Sequence, residues 1–149
     1  MTSPDLKPGL ARKLRELVGL YLMAQRHRAH EHGFSQNARL LMLLKRHGPT
    51  VQREFGRMAG LDKSWISRIV ERFVADGLVE RLPLETDRRC LVLHLTAAGE
   101  AEASRFDVML NEQALKLFES IPAGEYPGLD ASLMTLMDAL RPLAVRKER

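Results

Sequence analysis

Five basic or hydroxyl-bearing side chains within residues 62–75 have the chemistry needed to contact nucleic acid. They follow a candidate helix cap, Asp62, and their spacing places them on the outer face of one predicted helix. These residues are Lys63, Ser64, Ser67, Arg68 and Arg72. In the major groove of duplex DNA, Arg and Lys recognise guanine edges, and Ser contacts bases or phosphates. The pattern therefore predicts a helix that reads DNA.

The local charge does not by itself indicate binding to DNA. Residues 62–89 contain six basic and six acidic side chains, so the segment is neutral overall. A basic reading surface requires a particular arrangement, in which Asp62 caps the helix while Glu71 and Asp76 face elsewhere. The alternative is an ordinary helical hairpin whose outer face is simply solvated.

Residues 51–73 have the pattern of a helix-turn-helix around this reading helix. Gly60 suits the turn because it adopts left-handed backbone angles without a Cβ penalty. Gly56 is the small residue expected where the two helices approach. The predicted apolar contact set consists of Phe55, Met58, Ala59, Leu61, Ile66, Ile69 and Phe73.

A β-hairpin is predicted directly after the reading helix. Residues 78–82 and 91–95 alternate between apolar and polar side chains, and a polar loop over residues 83–90 joins them. Arg88 and Arg89 lie near the tip, where guanidinium groups can enter a narrow minor groove, and Asp87 is expected to hold one of them by an ion pair. The alternative is a charged loop that is only solvated.

The other elements are predicted to be helical, so the fold class is mainly α with a short β-hairpin wing. Spacings of three and four between apolar residues define these helices. They run from Leu10 to about Glu31, from a Ser35 cap to Gly48-Pro49, over Val51–Met58, from a Thr96 cap to about Ser120, and through Leu129–Leu143. Pro127-Gly128 leaves the start of the last helix open.

The first and the last two helices carry apolar stripes that a small lobe cannot cover. Leu129, Leu133, Leu136 and Leu140 recur like the seam of a coiled coil. Exposing them would create a large apolar patch, which soluble monomers rarely show, so a two-fold partner is expected. The alternative is packing of the same stripes inside a monomeric bundle.

The composition excludes several classes of protein. With 149 residues, one Cys and a net charge of +4, the chain suits a small globular protein without disulfides, expected in the cytoplasm. No apolar run is long enough for a membrane span. An aromatic content of 5% disfavours a protein that stacks single-stranded bases. Phosphate-binding, nucleophile-elbow and paired-metal motifs are absent, so we expect no enzyme, no cofactor and no metal.

Sensor chemistry has three candidate locations. Cys90 could respond to oxidants beside Arg88 or Arg89, although a packed small residue is the simpler interpretation. His27, His30 and His32 lie near the end of the first helix, but they lack the further ligands that zinc requires. A small anion is the third candidate, and we assign it to a site formed by Tyr21, Arg26, His30, Arg39 and Met42.

From Phe55 to Ala101 the chain resembles the MarR family of bacterial winged-helix transcription regulators. Three motifs carry the resemblance: Gly-Leu-Asp-Lys-Ser entering the reading helix, Asp-Gly-Leu-Val-Glu-Arg entering the wing, and Asp87-x-Arg89 followed by Leu95-Thr96-x-x-Gly99. Together they are far more specific than a bare helix-turn-helix, and the flanking helices fit in number and order.

The resemblance implies a winged helix-turn-helix with N- and C-terminal dimerisation helices. The corresponding organisation is a dimerisation helix over residues 1–34, a DNA-binding lobe over 35–98 and further dimerisation helices over 99–149. As a homodimer, the protein would bind the two halves of a pseudo-palindromic operator on the bacterial nucleoid, as a repressor tuned by a small aromatic or anionic effector. The alternative is a winged helix that contacts protein rather than DNA.

The resemblance also assigns roles to individual residues. Lys63, Ser64, Ser67 and Arg68 would face bases or nearby phosphates, Arg89 would be the minor-groove arginine, and Asp87 would be its structural partner. Trp65 departs from the small or polar residues usual at its position. Its indole could contact the sugar-phosphate backbone, but we expect it to pack against the neighbouring helix.

Overall fold

The structure, a computed structural model, describes residues 6–144, which form six α-helices and three strands. Contacts divide these residues into two compact units, with the boundary between Asn111 and Glu112. The helices are α1 (Lys7–Glu31), α2 (Ala38–His47), α3 (Gln52–Ala59), α4 (Lys63–Ala75), α5 (Ala97–Phe118) and α6 (Tyr126–Ala144). The strands are β1 (Thr50–Val51), β2 (Val79–Leu84) and β3 (Asp87–Leu95). This mainly helical architecture confirms the predicted fold class.

The three strands form one antiparallel sheet in the order β1-β3-β2. The wing is longer than the sequence predicted, because β2 and β3 extend through most of the expected loop and leave only residues 85 and 86 as a turn. Pro83 is tolerated because β2 is an edge strand and the register shifts between Pro83 and Leu84. Strand β1, which pairs Thr50 with Leu93, was not predicted at all.

The main core binds the helix-turn-helix to the sheet. The nearly inaccessible side chains are Leu41, Leu44, Phe55, Ile66, Val70, Phe73, Val79, Leu93 and Ala103. Each large member contributes about 1.5–3 kcal/mol by leaving water. Because these residues come from α2, α3, α4, both wing strands and α5, the same core fixes the reading helix and the wing.

A smaller cluster connects the end of α1 to α2 and α5. Phe34, Ala38, Phe106 and Met109 are buried there. The rings of Phe34 and Phe106 meet edge-on with centroids 5.1 Å apart, and the Arg105 guanidinium lies 4.3 Å from the Phe34 centroid.

Two helix starts differ from the prediction. The N-cap of α2 is Asn37 rather than Ser35. The Ser35 hydroxyl instead accepts a hydrogen bond of 3.1 Å from the Asn37 amide, so it stabilises a turn before the helix. Helix α1 begins at Lys7, with Pro8 in its first turn, a position where the missing N–H costs nothing.

In the second unit, the last helix begins at Tyr126. A short 3₁₀ turn, Ala123–Glu125, leads directly into α6 at Tyr126, and Pro127 occupies the first turn. The Tyr126 hydroxyl donates a 3.0 Å hydrogen bond to the Phe118 carbonyl, which closes the turn between the helices.

The two terminal helices expose large apolar side chains. On α1 these are Leu10, Leu14, Leu17, Val18, Leu20 and Met23. Helix α6 has no buried residue, and it exposes Leu133, Met134, Leu136, Met137, Leu140 and Leu143. Among residues 6–144, no helix combines the length and the apolar character that crossing a membrane requires.

Candidate nucleic-acid interface

Helices α3 and α4 meet in the turn predicted from the sequence. Gly60 adopts φ 68°, and the Leu61 amide donates to the Gly56 carbonyl over 3.0 Å, which closes the end of α3. A Cβ on Gly56 would lie 3.1 Å from Cγ2 of Ile66, so the small residue does mark the close approach. The Asp62 carboxylate accepts a 2.9 Å bond from the Trp65 amide and caps α4. Its charge is therefore directed to the helix end.

The first turns of α4 present cationic and aromatic side chains to solvent. Lys63, Ser64 and Arg68 are exposed, and within the part of the chain that the structure describes neither Lys63 nor Arg68 forms an ion pair. Trp65 is 58% exposed. The expectation that its indole packs against the neighbouring helix is therefore wrong, because its position in the first turn points it away from the core.

The later turns of α4 are closer to neutral than predicted. Arg72 Nε lies 3.2 Å from the Asp76 carboxylate, and the Ser67 hydroxyl lies 3.4 Å from the Glu71 carboxylate. Glu71 and Asp76 therefore do not face elsewhere, because an i,i+4 spacing brings them onto the predicted reading face. Since the Arg72 side chain is 77% exposed, this ion pair is weak and a phosphate can compete with it.

In the wing, Asp87 contacts the backbone of Arg89 and not the guanidinium group of either arginine. The Asp87 carboxylate accepts a 3.0 Å bond from the Arg89 amide and lies 3.5 Å from Sγ of Cys90. It forms no ion pair with either arginine in residues 6–144, so the expected Asp87–arginine pair is wrong. Arg88 and Arg89 are exposed at the start of β3 rather than in a loop. Adjacent strand residues point to opposite faces, so the two guanidinium groups diverge.

Thr96 connects the base of the wing to the segment after α4 through hydrogen bonds. Its hydroxyl donates a 2.6 Å bond to the Gly77 carbonyl and accepts a 3.0 Å bond from the Gly99 amide, which caps α5 as predicted. Its own amide donates to the Leu78 carbonyl over 3.1 Å. Gly99 lies so close that an added Cβ would be 1.9 Å from the Leu78 oxygen. The Thr96-x-x-Gly99 spacing thus has a structural reason.

One cavity adjoins both the reading helix and the wing. It has a volume of about 440 Å³ and is bounded by α3, the start of α4 and β3. Lys63 and Arg89 both line it, so the first turn of α4 and the minor-groove candidate share one surface. Arg53 of α3 lies on the same surface. Sequence reasoning missed Arg53, because nothing in the spacing of α3 indicates that it meets the wing.

The predicted effector residues do not line this cavity. Tyr21, Arg26 and His30 lie on α1, whereas Arg39 and Met42 lie on α2. Arg39 donates to the side-chain oxygen of Gln25, a buried polar residue of α1 that sequence reasoning did not single out. Met42 packs against the Phe34 and Phe106 cluster. Arg39 and Met42 therefore contribute to the contacts that join α1, α2 and α5.

The histidines near the end of α1 form local contacts. His27 Nε2 lies 3.2 Å from the Glu31 carboxylate, and His32 Nδ1 lies 2.9 Å from the Arg28 carbonyl. Over residues 6–144, no three His, Cys, Asp or Glu side chains gather in a way that could hold a metal ion.

Parts of the chain are similar to known proteins. Residues 35–91 match the model of the MarR family. The uncharacterized HTH-type transcriptional regulator YpoP of Bacillus subtilis is 27% identical over 104 residues, which are 70% of this chain and 69% of YpoP. The HTH-type transcriptional repressor NicR of Pseudomonas putida is 39% identical over 61 residues, which are 41% of this chain and 39% of NicR.

Solved structures share the fold. A mutant MarR from E. coli superposes with a TM-score of 0.76 at 19% identity, covering 86% of this chain and 96% of that one. The same mutant complexed with operator DNA gives a TM-score of 0.63 at 20% identity, covering 83% and 93%.

Proposed function

We propose that this chain is a member of the MarR family of transcriptional regulators, and that it binds a pseudo-palindromic operator as a homodimeric, ligand-responsive repressor. Its relatives are regulators rather than enzymes, as the sequence predicted.

The shared surface of the reading helix and the wing is the observation that carries the proposal. Lys63 and Arg89 adjoin the same cavity, although one begins α4 and the other lies in β3. A helix that enters the major groove and a wing that follows the adjacent minor groove need such a common side. In our proposal Arg68 reads a base edge, Lys63 and Ser64 contact bases or phosphates, and Arg89 enters the minor groove.

Trp65 and the more neutral turns of α4 have secondary roles in this proposal. The exposed indole contacts the sugar-phosphate backbone through its N–H, which is the alternative that the sequence analysis gave to packing against the neighbouring helix. Ser67 and Arg72 contact DNA only when phosphates displace their bonds to Glu71 and Asp76, so their contribution is smaller. Arg88 diverges from Arg89 and contacts the backbone beside the groove.

Dimerisation is supported by the apolar side chains that α1 and α6 expose. Contiguous patches of this kind are rare on soluble monomers. A second copy with two-fold symmetry would cover them and would present two reading helices. Half-sites one duplex turn apart, about 34–36 Å, fit such an arrangement.

Repression and response to a ligand are the finer parts of the proposal. The name of NicR describes a repressor. A ligand would act by favouring a spacing of the reading helices that mismatches the operator. The site at Tyr21, Arg26, His30, Arg39 and Met42 remains a prediction.

Selection from a random duplex library tests the proposal, because it requires no candidate operator sequence. The purified protein should enrich a pseudo-palindrome whose half-sites lie about 10 base pairs apart. Arg68→Ala should lose this enrichment, whereas Arg46→Ala, which removes an exposed arginine outside the proposed interface, should keep it. Failure of the wild-type protein to enrich any sequence would reject operator binding.

A further inference from the structure

The indole of Trp65 is a large apolar group that the fold itself does not cover. The residue is 58% exposed, and it is the single tryptophan of the sequence. Among residues 6–144, no aromatic ring packs against the indole and no cation lies over it. Because tryptophan is highly buried on average and is enriched where proteins bind partners, an exposed indole on a reading helix indicates a partner that covers it.

The backbone of Trp65 is held in place on both sides. The Asp62 carboxylate accepts a 2.9 Å hydrogen bond from the Trp65 amide at the start of α4. The next residue, Ile66, and Ile69 one turn later are anchored in the main core. Helix α4 therefore cannot rotate to bury the indole, and a partner that covers the ring has to order only its two side-chain torsions.

Trp65 and Lys63 lie on opposite flanks of the exposed face of α4. Two residues along an α-helix correspond to a rotation of about 200°. Lys63 lines the cavity that adjoins the wing, whereas Trp65 does not. The indole is therefore on the flank of α4 away from the wing. Arg68 follows Trp65 by three residues, so the two side chains are neighbours on the helix surface.

A side chain on the flank of a reading helix meets the wall of the major groove. Thymine presents its C5-methyl group there, and the characteristic protein contact to this group is apolar. The indole has one donor, its N–H, and no acceptor. When the N–H is directed to the sugar-phosphate backbone, only carbon atoms of the ring face the base edges. Such a surface fits a methyl group, and it would leave the amino group of a cytosine or an adenine unpaired.

Resting on the proposed function, we propose that Trp65 is a specificity-determining residue that selects a thymine in each half-site. The carbon edge of its indole contacts the C5-methyl group of that base. Residues three apart on a helix are separated by about 5–6 Å and successive base pairs by about 3.4 Å, so the thymine lies one or two base pairs from the base that Arg68 reads. It lies on the side of the half-site away from the minor groove that Arg89 enters.

Replacing single thymines by deoxyuridine tests this contact, because the replacement removes only the methyl group. The duplex enriched from the random library is used, and affinities are measured by anisotropy. At one thymine of the half-site, deoxyuridine should weaken binding of the wild-type protein about fourfold, equivalent to about 0.8 kcal/mol for one buried methyl-sized group. Replacement in both half-sites should weaken it about 15-fold, since distant sites add.

Two variants assign the effect to the indole. Trp65→Ala should bind the thymine and deoxyuridine duplexes equally well. Trp65→Phe keeps an apolar ring but lacks the N–H, so it should bind both duplexes more weakly while retaining most of the preference for thymine. The matched control Val74→Ala removes an apolar side chain that is 37% exposed in the last turns of α4, and it should retain the full preference. A Trp65→Ala variant that still prefers thymine would overturn the proposal.

Fluorescence locates the contact independently, because all indole emission of the protein comes from Trp65. In 5-iododeoxyuridine, a heavy atom of similar size replaces the methyl group, and it quenches an indole that it touches. Quenching should be strongest at the thymine that the deoxyuridine scan identifies and weak at the others. Equal quenching at every position, or none, would contradict a contact with one base.

The same experiments separate this inference from the proposed function. If the wild-type protein enriches no sequence, operator binding and thymine selection both fail. If a sequence is enriched but deoxyuridine weakens the wild-type protein and Trp65→Ala equally at every position, operator binding stands and thymine selection fails. The indole would then contact only the sugar-phosphate backbone.

Discussion

Replacing Gly99 with alanine should loosen the joint between the wing and the helical lobe. The new Cβ would lie 1.9 Å from the Leu78 oxygen, so that carbonyl must retreat by about 1.1 Å to reach even the shortest ordinary contact. The same carbonyl accepts the 3.1 Å bond from the Thr96 amide. Overpacking costs about 1–3 kcal/mol, and a lost hydrogen bond costs about 0.5–1.5 kcal/mol. Better helix propensity returns only about 0.5–1 kcal/mol.

The free energy of unfolding of Gly99→Ala should therefore fall by about 1–3 kcal/mol. Urea unfolding at one fixed protein concentration measures it, because the proposed dimerisation would make stability depend on concentration. Gly128→Ala is the matched control: it is also the third residue of its helix, and its Cβ would meet no atom within 4 Å. The control should be unchanged or slightly more stable. A Gly99→Ala variant as stable as the control would refute the close approach at Leu78.

Three further substitutions test the proposed interface in anisotropy titrations. Arg68→Ala should weaken specific binding by about 1–3 kcal/mol, the usual loss of a base contact, and unchanged affinity would exclude base reading. Arg89→Ala should weaken binding to all duplexes and make the dependence on salt shallower by about one ion, whereas an unaltered salt slope would contradict a groove or phosphate contact. Asp87→Ala removes the carboxylate that accepts the hydrogen bond from the Arg89 amide. It should weaken DNA binding although no proposed DNA-contacting side chain is changed. Full affinity would show that this hydrogen bond is not needed to position the wing.

Local patterns predicted the helix-turn-helix well. The Gly60 turn, the Asp62 cap and the buried positions Phe55, Ile66 and Phe73 depend on residues a few positions apart, and the structure has them as expected. The Thr96 cap is also local, whereas its bond to Gly77 spans 19 residues. Such a contact could be recognised only through the family resemblance.

The wing and the charged face were predicted less well because they depend on partners distant in sequence. Pro83 and the polar residues after it suggested a loop, but pairing with β3 draws them into an edge strand. The two residues of β1 are too few to show a period, and their partner lies some 40 residues away. Asp76 was expected to face away from the reading surface, yet its spacing from Arg72 brings the two side chains together.

The effector site could not be inferred in this way. Tyr21, Arg39 and Met42 were grouped by residue type, whereas Arg39 is engaged with Gln25 and Met42 with the aromatic cluster. The cavity lined by Arg53 and Arg89 joins residues from α3 and the wing, and no sequence spacing connects them.

Anisotropy on DNA from immediately upstream of the coding sequence tests sequence-specific DNA binding most directly. A scrambled duplex of equal length is the control, and both duplexes are titrated at several salt concentrations. We predict affinity for the upstream duplex at least ~10³-fold greater than for the scrambled one. Equal affinities that fall steeply together with salt would show only a basic surface and would contradict a sequence-specific regulator at this site.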